Sequence, residues 1–152
     1  SIKLGESPEG VSVSADNRLI AAAVEESNSV VLLDARKRRQ IAEIKVEGDN
    51  PEHAVFSPDG RWLYTSERNS HTVAGFAVTA DTGLLSPVGH WPVQSQPRGF
   101  ALTEQGQHLL VAGQTSHAVG LHAVDLATGA LTLLAEHAVG QNPNWITTLT
   151  LP

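Results

Sequence analysis

Four prolines, Pro8, Pro51, Pro97 and Pro143, recur at spacings of 43, 46 and 46 residues, and each opens a similar stretch. "PEGVSVSADNRLIAAAVEESNSVVLLD" begins at Pro8, "PEHAVFSPDGRWLYTSERNSHTVAGFAV" at Pro51, "PRGFALTEQGQHLLVAGQTSHAVGLHAV" at Pro97 and "PNWITTLTLP" at Pro143. Ser27, Ser70 and Ser116 keep register with one another, as do Val30, Val73 and Val119. The three-residue difference between the first period and the others therefore falls after Val30. It sits most simply in the turn "DARKRRQ", where the later units carry "VTADTGLLS" and "VDLATGALT".

Each unit divides into short runs with alternating apolar positions, the period of a strand with one face in a core. In the second unit these are "HAVFS", "WLYTS", "TVAGFAV" and "LSPVGHWPV", separated by "PDG", "ERNSH" and "DTG". Those breaks have turn chemistry, and no stretch sustains an apolar period of 3.6 residues. Four strands in a unit of roughly 45 residues is the pattern of a β-propeller blade. The expected fold is all-β: a propeller fragment of three four-stranded blades plus orphan strands, with the ring completed by oligomerisation. The boundaries read as an orphan outer strand at 1–7, blades at 8–50, 51–96 and 97–142, and an orphan inner strand at 143–152.

Composition limits the function classes. The chain carries 16 Asp and Glu against 10 Lys and Arg, which argues against nucleic acid as a partner. The only basic run, "ARKRR" at 35–39, is short, lacks interleaved aromatics and reads as a solvated turn. No apolar run approaches the roughly 18–20 residues of a membrane helix, so a soluble chain with no membrane partner is expected, in a compartment left open. Cysteine is absent, which removes disulfides and thiolate chemistry. The seven histidines show no metal-ligand spacing, so neither a metal nor another cofactor is expected.

In a propeller the connections into each inner strand and those between its second and third strands share one face, around the mouth of the central channel. That face would collect Glu9, Glu52, His53, Arg98, Asn144 and Trp145 from inner-strand starts. It would also collect Glu25, Glu26, Glu67, Arg68, His71, Gln114 and His117 from the loops. His53 suits a general base, because an imidazole titrates near neutrality. Arg98 suits the grip on a carboxylate or a developing oxyanion. Glu9, Glu52, Arg68, His71, His117, Asn144 and Trp145 are the expected channel-mouth binding residues, for a small anionic ligand. The plainer alternative for His53 and Arg98 is a loop residue bonded to a neighbouring blade.

From about residue 51 onward, on "QPRGFALTEQGQHLLVAGQTSHAVGLHAV" and "AVGQNPNWI", the chain resembles the seven-bladed lactonase family typified by 6-phosphogluconolactonase. Residues 1–65, on "SPEGVSVSADNRLIAAAVEESNSVVLLD" and "DNPEHAVFSPDGRWLYTSE", resemble YVTN propeller repeats such as those of haem-containing nitrite reductases. The lactonase resemblance supports His53 and Arg98 as site residues. It also implies a departure at Glu52, where that family often has arginine. Two resemblances meeting in one chain, with no methionine and no cysteine, favour an engineered chimera over a piece of a natural lactonase. The expected function is accordingly a structural half-propeller without catalysis that assembles with itself, most simply as a homodimer. The alternative is a lactonase-like hydrolase active in the assembled ring.

Overall fold

The computed structural model describes residues 2–149 and is all-β. Twelve strands form three four-stranded antiparallel sheets, each in simple sequential order. The first sheet comprises β1 (Pro8–Val13), β2 (Leu19–Val24), β3 (Ser29–Asp34) and β4 (Arg39–Lys45). The second comprises β5 (Pro51–Phe56), β6 (Trp62–Glu67), β7 (Thr72–Val78) and β8 (Leu85–Pro92). The third comprises β9 (Pro97–Leu102), β10 (His108–Gly113), β11 (Ala118–Val124) and β12 (Leu131–Ala138). The repeated prolines open β1, β5 and β9, the innermost strand of each blade.

Packing between blades follows from the alternation. Leu19, Ala21, Ala23, Val30 and Leu32 of the first blade meet Ala54, Phe56, Leu63, Ala74 and Phe76 of the second in one apolar cluster. The other face of the second blade, with Trp62, Tyr64 and Val73, meets Phe100, Leu102, Leu109 and Val111 of the third. Trp91 packs against this second cluster. Leu4, from the segment before β1, covers Val24, Val31 and Leu33 on the far face of the first blade.

The shorter first period has two sources. Between equivalent ladder pairs, the hairpin of the first blade holds residues 35–38, and those of the later blades hold 78–85 and 124–131. That hairpin is four residues shorter, one more than the sequence alignment assigned to it. The connection into the next blade restores one residue. Val46, Val93 and Val139 make the same backbone bond, and residues 47–50 follow Val46 where only 94–96 follow Val93.

Two strand expectations are corrected. Residues 2–7 and 143–149 form no strand, because among the described residues no neighbouring strand offers them a continuous ladder. The second segment still lies against β9, through Gly99 N–H donating to Asn144 O at 3.1 Å and Thr148 Oγ1 donating to Leu102 O at 3.0 Å. Residues 1 and 150–152, the ends of these two expected strands, lie outside the described residues.

Two buried histidines link the fold to pH. Burial holds His53 and His122 below the ordinary value of 6.5, with Glu52 partly opposing the effect at His53. The folded chain therefore binds fewer protons than the unfolded chain just below pH 6.5. Stability is fully present above that value and falls as the pH drops through it. His122 shares its repeat position with Phe76, so His122→Phe has a precedent within the chain. Urea denaturation between pH 7.5 and 5 is expected to show a fall in stability that His122→Phe makes shallower. An identical acid limb in the variant would remove His122 from this account.

Candidate functional site

Each inner strand begins irregularly. A register shift lies between Pro8 and Val11, between Pro51 and His53, and between Pro97 and Phe100. Such bulges turn side chains out of the strand's regular alternation. The residues they re-aim are Glu9, Glu52 and Arg98, one from each blade. With Gly10, Asn144 and Trp145 they line a cavity of about 350 Å³. Five of the residues expected at the channel mouth are thus brought together.

Glu52 is 7% exposed and lies between two guanidiniums. Its Oε1 accepts from Arg98 Nε at 2.5 Å, and its Oε2 accepts from Arg68 Nη1 at 3.5 Å. Arg68 Nη1 is also 3.6 Å from Glu25 Oε1, which accepts from Asn50 Nδ2 at 2.7 Å. Arg68 therefore reaches the site through Glu52. Glu52, aided by Glu9 and Glu25, raises Arg98 above its ordinary value, so its charge is permanent. Asn50 was not foreseen from sequence. Its place just before a repeated proline was the available signal.

His53 is 8% exposed, at the equivalent of Gly10 and Gly99. Its ring meets Phe100 edge-on at 5.3 Å and Trp145 at 4.7 Å. Its Nδ1 is buried without a hydrogen-bond partner and faces Gly10. A Cβ on Gly10 would stand 2.7 Å from His53 Cα and 2.8 Å from Glu52 O, so only glycine fits there. Gly99 gives the same room to the next segment, where a Cβ would stand 2.7 Å from Asn144 O and 3.0 Å from Trp145 Cα. Burial keeps the imidazole neutral at pH 7.

Two expected binding residues do other work. His71 and His117 have positive φ of 58° and 53°, and neither lines the cavity. His71 Nδ1 accepts from Gln96 N–H at 3.0 Å, and His117 Nδ1 accepts from Asn142 N–H at 3.2 Å. In the first blade Asn28, with φ 46°, accepts from Asn50 N–H at 2.9 Å through Oδ1. All three side chains fix the turn that leads into the next proline. Glu67 also departs from expectation. It is fully buried and accepts from Gly48 N–H at 3.1 Å, Thr72 Oγ1 at 2.7 Å and the His90 ring. A carboxylate with three such partners seals the joint between blades.

The comparisons decide the family. A family model described as "Lactonase, 7-bladed beta-propeller" matches residues 46–148. The chain belongs to the seven-bladed lactonase β-propeller family. The 6-phosphogluconolactonase of Sodalis glossinidius (strain morsitans) is 47% identical over 94 residues, 62% of this chain and 28% of that protein. A solved structure from Bacteroides fragilis NCTC 9343 superposes with TM-score 0.86 at 27% identity, covering 95% of this chain and 42% of that one. The Pseudomonas aeruginosa periplasmic gluconolactonase gives TM-score 0.80 at 27% identity, covering 92% of this chain and 42% of that one.

The chain thus spans less than a third of its first curated relatives and under half of these structures. These findings overturn the expected engineered half-propeller without catalysis. The relatives are 38–47% identical and are named as lactonases, and one propeller structure covers both halves of the chain. The family model begins at residue 46, after the last strand of the first blade, which the structural likeness alone covers.

The turn-fixing role of His71 predicts a substitution pattern. His71→Ala removes an acceptor from the Gln96 N–H and is expected to cost about 0.5–1.5 kcal/mol in urea denaturation. His71→Asn, which copies Asn28, is expected to keep most of that stability. Equal losses in both variants would show that the ring itself, and not its acceptor, holds the turn.

Proposed function

We propose that this chain contributes to the channel of a lactone hydrolase, with His53 and Arg98 as its acting residues. One observation carries the reading: a histidine kept neutral by burial lines an open groove that shares Trp145 with the cavity of a permanently charged arginine. The relatives' name, 6-phosphogluconolactonase, gives the reaction type.

Hydrolysis of a lactone needs water activated at the carbonyl carbon and a cation for the charge that develops on oxygen. His53 Nδ1 faces Gly10 and is closed off, so proton transfer falls to Nε2. His53 also lines the open groove along the inner strands, together with Phe100, Thr103 and Trp145. The imidazole takes a proton from water as its oxygen adds to the carbonyl. The ring C–O bond then breaks, and the leaving ring oxygen takes the proton back. Arg98 offers guanidinium donors beyond the Nε that Glu52 holds, and these suit the oxyanion and the product carboxylate.

The expected outcome is hydrolysis of a sugar-acid lactone above the buffer rate. His53→Ala should lower kcat by about 10²-fold or more, the usual contribution of a positioned general base. Arg98→Lys should raise KM or lower kcat while the far-ultraviolet spectrum keeps its strand signature. Rates unchanged in both variants would exclude these roles.

A second copy of the chain is proposed as the cover for the outermost sheet faces. Val11 and Val13 on the first blade, and Leu133 and Leu134 on the third, leave apolar surface in water. Sedimentation at micromolar concentration is expected to give a closed dimer, and a stable monomer would end this proposal.

A further inference from the structure

We propose that the channel mouth takes a neutral, polyhydroxylated lactone ring in preference to its phosphorylated counterpart, and that Glu52 sets this choice. The inference rests on the hydrolase reading for the reaction, but it stands on different observations.

The first is charge. The mouth gathers three carboxylates, Glu9, Glu25 and Glu52, around two guanidiniums, Arg68 and Arg98. Both guanidiniums already hold carboxylates: Arg98 bonds Glu52, and Arg68 lies between Glu52 and Glu25. A phosphate dianion is best held by the two-pronged grip of arginine. Arg98 has Nη donors for that grip beyond the Nε that Glu52 holds, but a dianion seated on them stands against the Glu52 and Glu9 carboxylates of the same cavity. That like-charge contact is what turns phosphate away.

The second is the chemistry of the lining. Trp145 is 65% exposed, although its neighbour His53 is buried. An indole face open to a cavity can cover the C–H face of a sugar ring and withdraw it from water. Glu9 and Glu52 around it only accept hydrogen bonds, Arg98 only donates, and Asn144 does both. Sugar hydroxyls, which donate and accept, satisfy that mixture. A phosphate dianion has acceptors alone and meets two carboxylates. The cavity, at about 350 Å³, has the scale of one monosaccharide ring with its waters.

Glu52 is therefore a specificity residue. Glucono-1,5-lactone and its 6-phosphate are the two substrates that test it, with kcat/KM measured above the buffer rate for the unaltered protein and for Glu52→Gln. Gluconate and 6-phosphogluconate are titrated in parallel against tryptophan fluorescence, with Trp145→Phe identifying the reporting ring. The unaltered protein should favour the unphosphorylated lactone at least tenfold, and gluconate should perturb Trp145 at lower concentration than its phosphate. Glu52→Gln frees the Arg98 charge and should shrink or reverse that ratio, chiefly through KM for the phosphorylated substrate.

A preference of the unaltered protein for the phosphorylated form would overturn the inference. So would a ratio that Glu52→Gln leaves unchanged, or a Trp145 signal that neither acid moves at millimolar concentration. Hydrolysis of neither lactone, with gluconate still bound more tightly, would end the hydrolase reading and leave the discrimination standing.

Discussion

A four-stranded sheet with two apolar faces is stable only when both are covered, and the rest of this structure depends on that requirement. The first blade covers one face of the second, and the third covers the other. Sheets stacked face to face with a constant twist fan out around an axis, and their first strands converge there. That convergence places Glu9, Glu52 and Arg98, far apart in sequence, on the wall of one cavity. The site is thus a consequence of apolar packing that none of its own residues supplies.

The polar network at the mouth is bound by a complementary constraint. Glu52 is too deeply buried to be left alone, and its partners come from other positions in the arc: Arg98 from β9, Arg68 from the β6–β7 loop, with Glu25 of the first blade beyond. Each bond crosses a turn or a blade boundary, so the charges also report how the blades are set against each other. A buried carboxylate held this way contributes little net stability. What it fixes is geometry: the Arg98 head group is held at the wall of the cavity. Substituting either partner therefore changes more than one charge.

Most of the strand plan was legible in the sequence because it rests on local rules. Alternation and turn chemistry placed β5 to β8 within two residues of their observed bounds, and the prolines marked every inner strand. What escaped was set by neighbours distant in sequence. Glu67 shares its position with Val24 and Gly113, so no pattern announced a carboxylate buried under the first blade's loop. The division of the short period between a hairpin and a connection depended on ladder pairs that the sequence does not display. The functional expectation failed for a different reason. The absence of methionine and cysteine constrains sulfur chemistry, but it says nothing about a pocket built from carboxylates, guanidiniums and an imidazole.

Histidines separate what the repeat dictates from what it leaves free. His71 and His117 recur at the repeat spacing, and each lends its Nδ1 to a backbone N–H that Asn28 satisfies in the first blade. A role that an amide fills equally well is a turn's requirement for an acceptor. His53 breaks its own repeat. Around the inner strands the equivalent positions read Gly10, His53, Gly99, Trp145, small and large by turns. The alternation is steric: the imidazole occupies space that a Cβ on Gly10 would take, and the Asn144–Trp145 backbone occupies space that one on Gly99 would take. Two large rings are thereby brought into contact across a glycine, one buried and neutral, the other open to the cavity. Where successive blades differ here, the chain sets a buried imidazole beside an indole open to the cavity.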